Sequence, residues 1–435
     1  MEYWALAMFL VLFLLLLIGY PVAFTLGAIA LGFGTVFLGI EFFSLLPLRI
    51  WGIMTNFTLL AVPLFVFMGV ILEKSGIAEE LLDTMGRLFG SLRGGLAISV
   101  VVVGALLAAT TGVVGASVVT MTVIALPSML KRGYSPELAS GTIAASGTLG
   151  QIIPPSIILI LLGDVVGVPE GELFMAAAAP GAMLILAYIL YVVWTAWRHP
   201  ETAPAVKSLA NQSPDLLFSV IKSLVPPLLL ILAVLGSIFF GIASPTESAA
   251  VGALGAIVLA AIHRRMNLNN LREALQRTTR LTSMVFIIFI GATAFGLVFV
   301  GMGGDKLILD LFTALPGGKW TFLVVSMLLI FFLGFFLDFI EICFIVVPVI
   351  APVAIHMGID PLWFALLIAL NLQTSFLTPP FGFSLFYLKA SAPPTLKLES
   401  IYRGIVPFVA IQVIVLGLII AFPQISLWLP EMMSK

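Results

Sequence analysis

The sequence predicts an all-α polytopic membrane protein built from two inverted repeats, and three observations lead to this prediction. The chain is 61% hydrophobic and only 9% of its residues are charged, whereas a soluble domain carries about 25% charged residues. Its apolar stretches are long and rich in Leu, Ile and Val, unlike the alternating ten-residue strands of an outer-membrane barrel. A Pro-Pro pair occurs twice, at Pro154-Pro155 and at Pro379-Pro380, each time inside such an apolar stretch.

The first repeat, residues 1–197, contains five predicted crossings and one shorter apolar segment. This segment, 95–130, is interrupted between Thr110 and Ser117, and each arm is shorter than the roughly 20 residues of a full crossing. It therefore predicts a re-entrant helical hairpin. The first Pro-Pro pair predicts a broken helix, because proline removes a backbone donor and clashes with the preceding turn. The crossings are predicted near 4–18, 22–40, 57–73, 135–163 (the broken helix) and 173–197.

The second repeat, residues 223–435, is predicted to follow the same order. Its hairpin spans 319–356 with a tip at 334–341, and its crossings lie near 223–242, 246–262, 281–301, 361–389 (the broken helix) and 403–425. Landmarks recur at nearly one offset, which favours a duplication: Pro21 and Pro245, Gly69 and Gly291, Pro127 and Pro348, Gly133 and Gly358, and the two proline pairs. The polar segment 198–222 is predicted to be a cytoplasmic linker. The amphipathic segments 78–92 and 267–280 are predicted to lie in the membrane interface or to form solvated loop helices.

The positions of the basic residues predict the orientation. Five crossings in each repeat make the two repeats inverted relative to each other. If both termini lie outside, every Lys and Arg faces the cytoplasm except Arg49, Lys306, Lys319 and Lys435. The positive-inside rule favours this arrangement over its opposite.

The hairpin tips and helix breaks predict ion and substrate sites. Open backbone at membrane depth is tolerated where it lines a cavity, and paired breaks in two halves are typical of the binding site of a secondary transporter. A hard cation such as sodium prefers oxygen ligands. The first candidate sodium site comprises Thr110, Thr111, Ser117, Ser146, Thr148 and Gly150. The second comprises Asp338, Asn371, Thr374, Ser375 and Thr378. Candidate substrate contacts are Gln151, Pro154, Pro155, Pro379 and Pro380.

Each of these residues has a structural alternative. A Ser or Thr hydroxyl in a helix commonly donates to a carbonyl of its own helix. Asp338 and Glu341 lie at one hairpin tip, and a carboxylate at membrane depth is costly unless it is paired or binds an ion. For Glu341 the alternative is that it caps a helix. Glu247 begins a helix and is interpreted as structural.

Several segments resemble the large membrane subunit of tripartite ATP-independent periplasmic (TRAP) transporters, a DctM-type permease, over nearly the whole chain. They are Gly94-Gly95, 127–134, 147–156, 358–361 and 378–380. The resemblance implies sodium-coupled uptake of a small organic acid across a bacterial inner membrane by an elevator mechanism. It also implies two protein partners, a periplasmic substrate-binding protein and a small four-helix membrane subunit. The implied coupling ion is Na⁺. No cofactor and no enzymatic activity are implied.

Two departures from the family and several competing functions remain open. The first tip carries Thr110-Thr111-Gly112 where many relatives are rich in Ser, and the second adds Glu341 near Asp338. A binding-protein-independent sodium/carboxylate symporter is the main alternative. A channel is the third interpretation, but it would need polar residues along a continuous pore, whereas here they cluster at the midplane breaks. An intramembrane protease is disfavoured because His199, His263 and His356 fall at segment ends. An ATPase is disfavoured because the sequence contains no Walker-type phosphate-binding loop. The 147–156 segment resembles members that import 2-oxo acids or related monocarboxylates.

Overall fold

The computed structural model describes residues 2–205 and 216–433, apart from the side chains of Thr111 and residues 216–219. The predicted ligand role of the Thr111 side chain and most of the linker therefore fall outside the described residues. Within them, seven helices are long and apolar enough to cross a membrane, or nine if each of two bent helix pairs counts as one crossing. The prediction of an all-helical polytopic membrane protein is confirmed.

Ten α-helices make up the first repeat. The two hairpin arms, α6 and α7, are separated only by Gly112 and Val113, and α8 and α9 are the two parts of the broken helix. The bounds are α1 Glu2–Ile18, α2 Val22–Phe37, α3 Leu46–Met54, α4 Ala61–Lys74, α5 Ile77–Phe89, α6 Gly95–Thr111, α7 Val114–Lys131, α8 Pro136–Thr148, α9 Ile157–Val166 and α10 Glu170–Arg198.

The second repeat follows the same order of crossings, hairpin and broken helix. Its helices are α11 Leu216–Phe239, α12 Pro245–Ile262, α13 Leu268–Gly301, α14 Gly304–Thr313, α15 Gly318–Leu333, α16 Phe339–Glu341, α17 Val347–His356, α18 Pro361–Leu377, α19 Phe383–Ser391, α20 Leu398–Ala421 and α21 Gln424–Met433. A π-helical segment, Ile342–Val346, joins α16 to α17. It lies just before Pro348, which cannot donate to a carbonyl one turn earlier.

Glycines with left-handed backbone conformations mark the same junctions in both repeats. Gly94 and Gly317 precede the first arms of the two hairpins, with φ of 76° and 96°. Gly76 and Gly303 precede α5 and α14, with φ of 71° and 81°. A side chain is strained at such φ, so the shared positions reflect a shared chain path. The element order therefore pairs α5 with α14, not with residues 267–280.

Two features of the predicted order are wrong. Residues 267–280 do not form a separate interfacial helix, because α13 runs without a break from Leu268 to Gly301. The first turns of α13 are polar and the rest is apolar. A change from polar to apolar side chains does not end a helix when no proline or helix-ending glycine lies at the change. The short helices α3, α14 and α21 were also not predicted.

Helix packing distinguishes two groups of helices, which also contact each other where α4 packs on α6. The scaffold group has α12 packed along α4, and α13 along α2 and α4. The second group, here called the core group, contains both hairpins and both broken helices together with α10 and α20. In it α8 packs on α6, α7 and α20, while α18 packs on α9, α15 and α20. Both predicted sites therefore lie within one group.

Candidate functional site

The first break is a short irregular segment between two buried helices. Ser135 caps α8 by accepting a hydrogen bond from the backbone N–H of Leu138 at 3.2 Å. After Thr148 the chain forms one 3₁₀ turn, Leu149–Gln151, and resumes as a helix only at Ile157. The Ser156 hydroxyl donates to the carbonyl of Gln151 at 2.9 Å and holds the segment together. The Pro154–Pro155 bond is cis, as is Pro379–Pro380 in the second repeat.

Glycines bring the first hairpin into direct contact with this break. A methyl group added at Gly147 would overlap the side chain of Val118 on α7. One added at Gly150 would lie 3.0 Å from the carbonyl oxygen of Ala108 on α6. Both hairpin arms therefore pack on the break at backbone distance. The structure brings the predicted tip and the predicted break of the first site together.

The four predicted hydroxyl ligands of the first site that the structure describes each donate to a backbone carbonyl three or four residues earlier. Thr110 donates to Leu107 at 2.8 Å, Ser117 to Val113 at 3.3 Å, Ser146 to Thr142 at 2.6 Å and Thr148 to Ala145 at 2.8 Å. A hydroxyl that donates its proton keeps two acceptor lone pairs. This bonding is therefore compatible with a cation on the oxygen side, and the ligand set stays a prediction.

The second hairpin contacts the second break in a corresponding way. The Asn371 side-chain amide donates to the carbonyl of Met327 on α15 at 2.7 Å. A methyl group added at Gly334, at the hairpin tip, would overlap the Ser375 hydroxyl on α18. Thr374, Ser375 and Thr378 donate to carbonyls of their own helix at 2.7 to 3.0 Å. The second set of predicted ligands is thus assembled by tertiary packing.

The two carboxylates of the second tip form a capping box. The Asp338 carboxylate accepts from the backbone N–H of Phe339 at 2.7 Å, and the Glu341 carboxylate accepts from the N–H of Asp338 at 3.0 Å. Glu341 therefore adopts the capping role that was its structural alternative. Glu247 likewise forms a capping box, with Ser244.

Tyr387, on α19, lies against the first hairpin. A methyl group added at Gly115, beside the first tip, would lie 2.9 Å from the Tyr387 ring. Tyr387 was not predicted from the sequence, because no local pattern reveals a contact with a hairpin more than 200 residues away.

Four buried polar side chains occupy the centre of the core group. They are Thr148 and Gln373 at the two breaks, Tyr188 on α10 and Gln412 on α20, and each is at most 2% exposed. Tyr188 and Gln412 were also not predicted. Their signal was available in the sequence, since both are polar residues inside predicted crossings (173–197 and 403–425), where a polar side chain is costly and commonly functional. Gln151, the predicted substrate contact, is fully buried and its amide has no hydrogen-bond partner among the described residues.

A cavity of about 710 Å³ lies between α9, α13, α14 and α17. Its walls are mainly apolar, and its charged lining comes from Arg49, Asp164, Asp305 and Lys306. Asp164 accepts a hydrogen bond from Asn56 at 2.5 Å. Arg49 and Lys306, two of the four basic residues predicted to lie outside, therefore face one shared space.

Two hairpins that meet two broken helices within a repeated helical membrane fold define a secondary transporter. The comparisons with known proteins agree. The chain matches the family described as "Tripartite ATP-independent periplasmic transporter, DctM component" over residues 9–425 and belongs to that family. The predicted resemblance is confirmed, and the chain is a transporter component rather than an enzyme.

Curated relatives match at similar levels but differ in what they are named for. The chain is 31% identical to the C4-dicarboxylate large permease DctM of Pseudomonas aeruginosa, covering 89% of each chain. It is also 31% identical to the sialic acid large permease SiaM of Vibrio cholerae, covering 96% of each. The ectoine large permease TeaC of Halomonas elongata is 30% identical, covering 96% of this chain and 97% of that one.

A solved structure has the same fold. The YdaH transporter of Alcanivorax borkumensis superposes with a TM-score of 0.64 at 16% identity, covering 96% of this chain and 99% of that one.

Proposed function

We propose that this chain is the large permease subunit that carries a small organic acid across the bacterial inner membrane, driven by a sodium gradient. The main support is that each hairpin tip packs on a helix break within one helix group. These segments present hydroxyl, amide and backbone oxygens of the kind that sodium prefers. Helix N-termini at the same breaks suit a carboxylate.

We further propose that transport is an elevator movement of the core group against the scaffold group. Both predicted ion sites lie in the core group, so they can move together. The termini are placed in the periplasm and the 198–222 linker in the cytoplasm, on the basis of the positive-inside pattern.

The proposed partners are a periplasmic substrate-binding protein and a small four-helix membrane subunit. The scaffold exposes large apolar side chains, including Phe24, Leu31 and Val251. Gly27 and Gly32 on α2 have open space around them, whereas Gly34, Gly252 and Gly255 pack against other side chains of this chain. The open face of α2 is therefore the proposed contact for the small subunit, since small residues allow close helix approach.

The substrate is proposed to be a 2-oxo acid or a related monocarboxylate, from the sequence of the first break. Relatives of equal similarity are named for C4-dicarboxylates, sialic acid and ectoine. Overall identity therefore does not select the substrate.

Uptake into proteoliposomes tests these proposals together. The permease and a small subunit are reconstituted, and uptake of labelled pyruvate, succinate and sialic acid is measured with and without a periplasmic binding protein. Pyruvate uptake that needs both the binding protein and an inward sodium gradient is expected. Uptake that needs sodium but not the binding protein would support the symporter alternative, and uptake with potassium replacing sodium would rule out sodium coupling.

A further inference from the structure

The cavity of about 710 Å³ lies between the scaffold group and the core group. Its scaffold wall is α13, and its core wall comes from α9 of the first broken helix and α17 of the second hairpin. Arg49 on α3 and Lys306 on α14 complete the lining. Sites for small molecules commonly have volumes of about 300–1,000 Å³. The cavity therefore has the size of a substrate site and borders both groups that the elevator proposal moves.

The helix ends that line this cavity belong to one side of the proposed topology. Asp164 near the end of α9, Val300 near the end of α13 and His356 at the end of α17 all line it. With the termini in the periplasm, the chain order brings each of these ends to the outer side. The cavity therefore lies on the side from which a periplasmic binding protein would deliver a substrate.

Two basic side chains of the cavity, Arg49 and Lys306, form no ion pair with any described residue. Its two carboxylates are stabilised locally. Asp164 accepts a hydrogen bond from the Asn56 amide at 2.5 Å, and Asp305 lies in the first turn of α14, where the helix dipole favours a negative charge. The two basic groups therefore remain available to an anion, and a guanidinium can bind a carboxylate through two parallel hydrogen bonds.

The deep wall of the cavity belongs to the second hairpin. Along this arm the lining continues from His356 at the outer end to Phe344, which lies in the π-helical segment six residues after Asp338. The Phe344 ring stacks on that of Phe289 on α13, with centroids 4.2 Å apart and an interplanar angle of 11°. The cavity thus leads from the outer side to the hairpin that carries the second candidate ion site, and an aromatic pair joins the two helix groups at its wall.

We propose that this cavity is an outer binding site for the substrate, in which Arg49 and Lys306 hold the carboxylate before the core group carries the acid inward. Its apolar walls, which include Leu309 and Val349, accommodate the short carbon chain. This inference rests on the proposed uptake of an organic acid. It adds a site outside both helix breaks and two residues that are not among the predicted substrate contacts.

Uptake kinetics of the complete transporter test the two basic residues. The measured substrate is whichever of labelled pyruvate, succinate and sialic acid wild type takes up. Arg49→Gln and Lys306→Gln should each raise KM about fivefold or more with little change in kcat. Arg49→Lys keeps the charge but not the planar fork, so it should raise KM less. Lys319→Gln is the matched control, because Lys319 is also predicted to lie outside but does not line this cavity, and its KM should stay at the wild-type value.

Protection of a cysteine separates binding in the cavity from docking of the binding protein. In the Cys343→Ala chain, Thr293→Cys places one thiol in the cavity wall. Its reaction with an impermeant maleimide is measured in spheroplasts washed free of the periplasmic binding protein. Potassium salts of the three acids are compared with potassium chloride at the same ionic strength, and the transported acid should slow the reaction. Adding Arg49→Gln should remove this protection, and the thiol of Lys319→Cys should show none.

Size-exclusion chromatography shows which variants fold, and Lys306→Gln serves as the test if Arg49→Gln does not. An unchanged KM in the folded variants, or labelling of Thr293→Cys that none of the acids slows, would overturn this inference alone. A raised KM with protection intact would assign the basic residues to docking of the binding protein, which also overturns it. If wild type takes up none of the three acids, the proposed function is rejected, and this inference with it.

Discussion

Glu73 and Arg277 form a two-point ion pair between α4 and the polar start of α13, with one guanidinium nitrogen 2.9 and 3.1 Å from the two carboxylate oxygens. Glu73 also accepts a hydrogen bond from Thr120 on the first hairpin at 3.3 Å. One scaffold carboxylate therefore contacts both α13 and the core group.

Removing this pair should destabilise the folded chain more than removing an exposed pair. The Glu73 side chain is only 17% exposed, so solvent screens it poorly. A double-mutant cycle of Glu73→Gln and Arg277→Gln should give a coupling free energy of about 1 kcal/mol or more in thermal or denaturant unfolding. The exposed pair Glu399–Arg403 is the control and should give at most about 0.5 kcal/mol. Equal coupling in both pairs would contradict the proposed role of Glu73.

Gly334→Ala should damage the second site by forcing the hairpin tip away from α18. The new methyl group would overlap the Ser375 hydroxyl, and overpacking of this kind costs about 1–3 kcal/mol. Uptake and thermal stability should both fall, and Ser375→Gly in the same chain should recover part of the stability. Gly296→Ala is the control, because no described atom outside the adjoining turns of its own helix lies within 4 Å of the added group. Normal uptake in Gly334→Ala would show that the tip does not need this close approach.

Asp338→Asn should weaken sodium activation while the fold is kept. Asparagine caps helices about as well as aspartate, so the bond from the Phe339 N–H can persist while the charge is lost. The half-saturating sodium concentration should rise, with little change in thermal stability or in the preference among substrates. Glu341→Gln, which can also keep the capping box, is predicted to have the smaller effect on sodium. Wild-type sodium activation in Asp338→Asn would exclude Asp338 as a ligand.

Cysteine labelling in intact cells tests the orientation. The native Cys343 is fully buried, and Cys343→Ala removes it as a background signal. In that chain an impermeant maleimide added outside should label Arg49→Cys and Lys306→Cys, which share one cavity. It should not label Lys207→Cys in the linker. The reversed pattern would invert the proposed topology.

The distance between the core group and the scaffold should change during transport. Val123 on α7 is 59% exposed and Val258 on α12 of the scaffold is 55% exposed, so both can carry spin labels with little disturbance of packing. In an elevator, this distance should change by about one or two helical turns of about 5.4 Å each. Two labels within the core group, at Val123 and Tyr387, should keep a constant distance. A fixed Val123–Val258 distance during active uptake would favour a gated pore.

The sequence by itself determined the membrane class, the repeat, the hairpins and the breaks, because these follow from local physical constraints. Hydrophobic length predicts crossings, Pro154-Pro155 and Pro379-Pro380 predict the interruptions, and the placement of Lys and Arg predicts the orientation. The same local rules failed at residues 267–280, where the change from a polar to an apolar surface looked like a boundary although the backbone hydrogen bonds of α13 continue through it.

Only the tertiary structure decided which side chains meet across the chain. The contact of Gln412 with Tyr188 joins residues 224 positions apart, and that of Gln412 with Thr148 joins residues 264 apart. A side chain's partner at such a separation depends on how whole helices pack, and this is set by the summed shape of many surfaces. The candidate sites likewise depend partly on the sequence and partly on the tertiary packing. The sequence located the Ser and Thr residues at the breaks, but the packing of Gly147 on Val118 and of Gly334 on Ser375 placed them against the hairpins.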